Sequence, residues 1–432
     1  MKRLSPISLP QVSIRCTALL SSTLLSISTA FAADFKILKQ IAEQPTQLIE
    51  GIHKGQYYVP STLDTILWGY LPNKMSKHLL TVPSGSTVIF DTVSHEGLLE
   101  DQGRNAAQYF KSHGVKEDQI LAEAQMITQS ELKHDFAKDG PHIVTGPIAI
   151  QGAMPGDVLK VEVLKVEPRV PYGVISNRHG KGALPGEFPK SKASAHPSPQ
   201  QPERYGNVSV FTPIEKNQHG QYEAVINTGP AKAIRFPIQP FMGIMGVAEN
   251  TTKAVHSVAP AHFGGNIDIK DLGAGSTVYF PVLVPGALFY TGDSHFVQGN
   301  GEVALTALEG SARATFKLTL LKAGQDKIPG QSVQQPLGEI KDYWIVPGLD
   351  PDLDEAMKKS TRESIRFIHQ EYGIDEALAY AYLSAATDFE VSQVVDKTKG
   401  IHAKIRKSDF KEFHPATEAS TPPVTPTERP KK

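Results

Sequence analysis

Alternation of apolar and polar positions is the first signal along the chain. In the stretch "GDVLKVEVLKVEP", Leu159, Val161 and Val163 point one way while Lys160 and Glu162 point the other. That period of two predicts a strand with one buried face. In "ARATFKLTL", Ala314, Phe316, Leu318 and Leu320 alternate with Arg313, Thr315, Lys317 and Thr319, which predicts a half-buried antiparallel strand. Ser86 to Phe90, "STVYFPVLV", "GALFYT" and "EVALTAL" also read as strands, with Pro281 and Pro285 marking ends or edges.

Two regions break this pattern. Glu96 to Lys138 is charged and predicts one or two surface helices. After Gly348, the residues Leu353, Met357, Ser364, Ile365, Ile368 and Tyr372 recur with helical spacing, which predicts an amphipathic helix. Acidic residues crowd its start and Gly373 follows its end, as helix capping favours. Asp375 is placed to cap a second helix running to about Ala386, and "EVSQVVD" reads as a closing strand. The Pro- and Lys-rich segment Lys181 to Arg204 lacks core-forming residues and reads as a mobile loop.

Composition narrows the class. The 35 Gly and 32 Pro supply the many turns that a β-rich fold needs between short apolar runs. The formal net charge of -1 argues against nucleic acid or an anionic membrane as the main partner, since each requires a concentrated basic surface.

The N-terminal residues read as a targeting segment. Lys2, Arg3 and Arg15 precede an apolar run from Thr17, which ends in Ala30-Phe31-Ala32, a small-x-small cleavage pattern. The run is short and Ser-rich for a membrane span. Residues 1–32 are therefore expected to be a signal peptide for export to the periplasm or beyond, with no membrane association after cleavage. Cys16, the single cysteine, lies within that segment, so a mature chain would have no thiol for a disulfide, a nucleophile or a metal. A catalytic metal would then sit on His, Asp and Glu.

Candidate chemistry concentrates in Gly-rich stretches. In "GDSH", Asp293 and His295 are two apart, so on extended backbone they project from one face, a workable pair of metal ligands. "GNGEV" puts Glu302 at the mouth of the next strand, where the three could meet at one end of a hairpin. "GGNID" places two glycines before Asn266 and Asp268, which lets a ligand approach the backbone closely. His142, opening a strand broken by Gly146-Pro147, is a candidate third ligand. Asp91 and His95 in "VIFDTVSHEG" are further candidates. Each has a plainer alternative: a loop histidine is often structural, and an aspartate after glycine often serves only its own turn. Density within Gly-rich turns is what lifts the group above these alternatives. No G-x-S-x-G elbow, H-E-x-x-H or Walker loop is present.

The block "HIVTGPIAIQGAMPGDVLKVEVLKVEP", then "PFMGIMGVA", "GGNIDIKDL" and "GSTVYFPVLVPGALFYTGDSHFVQGNGEV", resembles the acetamidase/formamidase family. "DLDEAMKKSTRESIRFI" and "AYLSAATDFEVSQVVD" resemble the family's C-terminal end. The likeness runs from about Leu80 to Ile405. It implies a mainly β fold, an antiparallel β-sandwich or barrel-like acetamidase/formamidase-like domain at 81–410. That domain would carry a helical insertion at about 96–138 and C-terminal helices at about 351–387. An N-terminal segment, 33–80, would precede it and a disordered tail, 411–432, would follow.

The resemblance further implies hydrolysis of the C–N bond in short linear amides of the formamide or acetamide type by metal-activated water. On it, His142, Asp293 and His295 are the expected ligands of a divalent metal, zinc in the first instance. Glu302 is the expected acid/base, and Asn266 and Asp268 join the catalytic site. Phe263, Phe289 and Phe296 are expected to narrow the pocket around a small amide substrate, and exposed strand edges suggest a homo-oligomer. Relatives carry a basic residue and a His directly before G-G-N, where this chain has His262-Phe263. That departure and the export signal leave two alternatives open: an exported metal-dependent hydrolase of lactams or larger amides, and a non-catalytic periplasmic binding protein.

Overall fold

The computed structural model describes residues 35–413, so the expected signal peptide and all but the start of the expected tail lie outside the described residues. Two large, mainly antiparallel sheets dominate. The first has ten strands and includes Ser86–Asp91, Val158–Pro168, Thr277–Pro281 and Ala312–Leu321. The second has eleven and includes Ile143–Ile150, Phe241–Gly246, Gly264–Asn266 and Phe289–Val297. The chain before residue 81 feeds both: Tyr57–Val59 pairs with Ser86–Asp91, and Ile66–Trp68 pairs with Ile143–Ile150.

The alternating stretches pack as their period demands. Leu159, Val161 and Val163 are buried, and so are Ala314, Phe316 and Leu318, while Leu320 is half-buried near its strand's end. These side chains meet Ile244, Met245 and Phe289 of the other sheet in one apolar core. Phe90, Phe289 and Phe316 form an edge-to-face trio there, with ring centroids 5.4 to 5.9 Å apart. Such a shared interior makes the fold a sandwich.

The helix Leu353–Tyr372 begins at Asp352, whose carboxylate accepts from the backbone N–H groups of Asp354 and Glu355, and ends at Gly373 with φ 69°. Ser364 and Ile368 of the expected stripe are buried, and Ile365 and Tyr372 pack beside them, but the buried face differs at its start. Ala356, Ser360 and Ser364 lie against the sheet, and Met357 is exposed. The reason is close approach: a Cβ on Gly348 of the neighbouring strand would collide with the backbone of Ala356 and Ser360. A small-residue seam, not a large apolar one, fits that contact. The second helix spans Glu376–Ala386 and is capped by Asp375 as expected.

Three expectations are corrected. The strand Asp388–Asp396 does not close the chain, because Thr398–Arg406 pairs with it and with Tyr343–Asp350. The insertion between Glu96 and Lys138 does hold two helices, Ala106–Ser112 and Ala122–Gln129. It is more than a surface decoration, however, since Ala106, Phe110 and Ile127 sit in a second apolar cluster with Tyr172 and Phe296. Finally, "EVALTAL" is mostly turn, with only Leu308–Glu309 paired. Among the described residues no helix is long and apolar enough to cross a membrane.

Candidate active site

The strand Phe289–Val297 carries the site on its back. It lies inside the second sheet, hydrogen-bonded to Phe241–Gly246 on one side and Ile143–Ile150 on the other. "GDSH" is therefore part of a strand and not of a turn that follows one. The ladder is irregular here, with register shifts between Phe289 and Thr291 and between His295 and Val297. Asp293 itself has φ 49°, and Asp268 and Glu302 have φ 44° and 46°. Left-handed backbone at a residue with a Cβ costs on the order of 1–3 kcal/mol. Three such residues meeting in one place mark a site where side-chain placement outweighs backbone comfort.

Those placements converge on the Asp293 carboxylate. Its Oδ2 lies 3.1 Å from Nε2 of His295 and 3.8 Å from Nε2 of His142, and its Oδ1 lies 3.6 Å from Nδ1 of His95. His295 Nε2 is also 3.1 Å from Oε1 of Glu309 and 3.9 Å from Oδ1 of Asp268. Asp268, Glu302 and Asp396 draw their carboxylate oxygens together beside this centre. Gly243, on the adjacent strand, makes room: a Cβ there would stand 2.6 Å from Asp268 Oδ1 and 2.8 Å from Asp293 Oδ2.

Burial governs the charges. Asp268 is raised well above the ordinary carboxylate range by burial, with Glu302 and Asp396 adding to it. Glu302 is raised in the same sense by burial and then by Asp396. Burial also lifts Glu309 to about 7 against the pull of His295, and lifts Asp396 to about 7. For Asp293, burial is overturned by His142, His295 and His95 around it, and its carboxyl stays well below the usual range. Burial takes His142 down to about 4, whereas the carboxylates of Glu309 and Asp293 outweigh burial at His295 and hold it well above its ordinary value.

The donor set suits a divalent cation. His95, His142 and Asp293 bring three donor atoms within 4.8 Å of one another, as do Asp268, Asp293 and His295, and His295, Glu302 and Glu309. Oxygens of Asp268, Asp293, Glu302, Glu309 and Asp396, together with Nδ1 of His95, are buried without a hydrogen-bond partner in the protein. Buried polar atoms are normally satisfied, so this many orphans at one point fits a bound cation. Imidazole with carboxylate and a free position is the arrangement of catalytic zinc.

His142, Asn266, Asp268, Asp293, His295 and Glu302 all lie in this region. His142, however, groups with His95, while His295 groups with the carboxylates. Asn266, Asp293 and Glu302 line a cleft of about 440 Å³ that opens above the group. Glu302 sits in a turn rather than at a strand mouth, its N–H donating to Gly299 O over 3.1 Å.

Asp91 is a correction. It is bound by Arg313 at 2.6 and 2.8 Å and by the Tyr58 hydroxyl at 2.7 Å, and ties three neighbouring strands of the first sheet together outside the cleft. Phe263, Phe289 and Phe296 are also corrected, since all three are core residues and none lines the cleft. His262 is exposed, next to Phe263. Glu309 and Asp396 are additions to the sequence-based set. Glu309 stood in a run read as ordinary strand, opposite His295 in register. Asp396 ends a strand remote in sequence, and nothing local marks it.

The model of the acetamidase/formamidase family matches residues 122–252 and 247–405. Formamidase from Methylophilus methylotrophus is 26% identical over 264 residues, 50% of this chain and 61% of that protein. Acetamidase from Mycolicibacterium smegmatis is 28% identical over 224 residues, 43% of this chain and 55% of that protein. The chain thus spans less than two thirds of the length of these curated relatives. The crystal structure of acetamidase from Bacillus halodurans superposes with a TM-score of 0.62 at 25% identity, covering 82% of this chain and 99% of that one. That of acetamidase from Yersinia enterocolitica gives 0.61 at 23% identity, over 83% and 94%, a likeness of fold. With the family model covering most of the described residues, the chain belongs to the acetamidase/formamidase family.

Proposed function

We propose that this protein hydrolyses the C–N bond of carboxamides to ammonia and a carboxylate, with the help of a divalent metal. One observation carries the reading: five carboxylates and three imidazoles meet at the buried floor of a solvent-reaching cleft, and every one of the five carboxylates has an oxygen unsatisfied by protein. Names of relatives support it, since they include a formamidase and acetamidases. A binding module has no need of so costly a concentration of buried charge.

An amide carbonyl is a poor electrophile. Bound at the floor, a divalent cation supplies Lewis acidity, which polarises a carbonyl oxygen and lowers the pKa of water. His95, His142 and Asp293 fit such an ion, and zinc is our first choice. His295 and Asp268 share Asp293 with that group. Glu302, ionised once a cation offsets the carboxylates around it, would take a proton from the attacking water and return it to the leaving nitrogen. Asn266, whose buried Oδ1 has no protein partner, accepts from the substrate's amide N–H. The sheet beneath keeps these groups fixed, so little reorganisation is needed as charge develops.

Export by the N-terminal segment belongs to the same reading, supported by its basic start and its Ala30-Phe31-Ala32 ending. A homo-oligomer is supported by the exposed edge strand Lys232–Pro237, which presents Ile234 to solvent. The deciding experiment measures ammonia release from a panel of amides, alongside metal analysis of the same sample. Turnover that a chelator removes and zinc restores is the expected result. Absence of turnover on every amide, with metal bound, would sink the reading.

A further inference from the structure

The cleft is larger than a short amide requires. At about 440 Å³ it falls in the range of about 300–1,000 Å³ that accommodates ligands of drug size. Formamide or acetamide seated on the floor would leave most of it empty. What lines the remainder therefore bears on the substrate.

The charge there is opposite to that of the floor. Lys181 comes from the loop after the strand Tyr172–Asn177, and Lys397 from the turn between Asp388–Asp396 and Thr398–Arg406, and both line the cleft. Other cations in the wall are already matched. Arg178 is held by Asp101 at 2.5 Å and by Glu96 at 3.1 Å, and Lys138 by Asp135 at 2.7 Å. Lys181 and Lys397 have no ion-pair partner among the described residues. Burial lowers the Lys181 ammonium from its ordinary value, and Arg178 and Lys397 push it further down. Asp101 and Asp396 pull it the other way, and the side chain reaches solvent at the cleft's rim.

Two exposed lysines from distant segments, neither in an ion pair among the described residues, line one cleft and form a place for an anion. The acidic floor would repel that same anion, so the two ends of the cleft orient a bifunctional molecule: amide inward, negative group outward. We propose that the preferred substrate is a carboxamide bearing a distal carboxylate, which Lys181 and Lys397 bind while the amide reaches the floor. This rests on the amide-hydrolase reading of the same cleft. It also moves the substrate away from the unsubstituted short amides.

The test uses matched pairs. Succinamate, glutaramate and adipamate are compared as substrates with butanamide, pentanamide and hexanamide. In parallel, calorimetry compares binding of the corresponding dicarboxylates with that of the monocarboxylates. For at least one length, the charged member should lead by about tenfold in kcat/KM, mainly through KM, and in binding constant. The double variant Lys181→Ala/Lys397→Ala should bring both ratios close to unity. A ratio near one in the unaltered protein at every length, or a preference that survives in the double variant, overturns the proposal. Binding and turnover separate the two readings. Turnover without charge preference removes this proposal and leaves the amidase. Lysine-dependent dicarboxylate binding with no amide cleaved removes the amidase and leaves the anion site.

Discussion

Gln298 fixes which nitrogen of His295 faces the candidate metal site. Its amide nitrogen donates to the backbone oxygens of Asp268 at 2.9 Å and Ser392 at 3.1 Å. Those carbonyls can only accept, so the other end of the amide must be oxygen. That oxygen lies 3.0 Å from Nδ1 of His295, which therefore carries the proton. Nε2 is left facing Asp293 and Glu309, whose carboxylates hold a proton there that a bound cation would displace.

Replacing Gln298 by Met keeps the volume and removes this lock. Outer partners of ligating histidines usually contribute about 10–100-fold in metal affinity. Gln298→Met is expected to weaken zinc binding by that order, read by competition with a chromophoric chelator, with the thermal transition little changed. Undiminished affinity would detach His295 from metal binding.

Gly243→Ala tests the space beneath the carboxylates. The added methyl group would stand 2.6 Å from Asp268 Oδ1, 2.8 Å from Asp293 Oδ2 and 2.9 Å from the Asp293 backbone oxygen, so both carboxylates must move and the strand must give slightly. The strand stays hydrogen-bonded on both sides, and the fold should persist. Bound metal and amide turnover should fall together. Full metal content in the folded variant would show that the cation does not depend on this pair.

Glu302→Gln separates chemistry from assembly. Glutamine retains the shape and the left-handed turn position but cannot relay a proton. A loss of about 10²–10⁴ in kcat is expected, the usual contribution of a positioned acid/base. Metal content should be unchanged. Wild-type turnover would pass the role to Glu309, which shares His295.

The sequence disclosed those parts of the site that are local. Asp293 and His295 are readable because two residues on a strand share a face, and His142 because it opens one. Asn266 and Asp268 stand out beside paired glycines. Glu309 was hidden because its role comes from facing His295 across a ladder. Asp396 was hidden because it arrives from the opposite end of the chain. The three phenylalanines misled for a related reason: Phe296 alternates with His295 into the second apolar cluster, and Phe289, beyond the register shift before Thr291, packs into the sandwich core. The helical stripe after Gly348 failed through Met357, since a glycine in the facing strand selects small residues over long ones.

Asp91 was legible as a strand-end carboxylate but not as a structural one, and its replacement offers a test of stability apart from catalysis. Its two oxygens receive Arg313 at 2.6 and 2.8 Å, Tyr58 donates at 2.7 Å, and Arg169 lies 3.4 Å away, all in the interior. Glu123 also contacts Arg169, yet among the described residues Arg313 has no other carboxylate within pairing distance. Asn at position 91 preserves the side-chain shape, so the loss is mainly that of countercharge. A buried ion pair broken on one side typically costs about 3–5 kcal/mol, because the remaining charge stays desolvated and unpaired. Asp91→Asn should therefore lower the unfolding free energy by an amount in that range, read as a lower urea midpoint at an unchanged slope. Asp91 lies outside the cleft, so KM for any amide should hold at temperatures where the variant is folded. A large rise in KM with unaltered stability would return Asp91 to the active site.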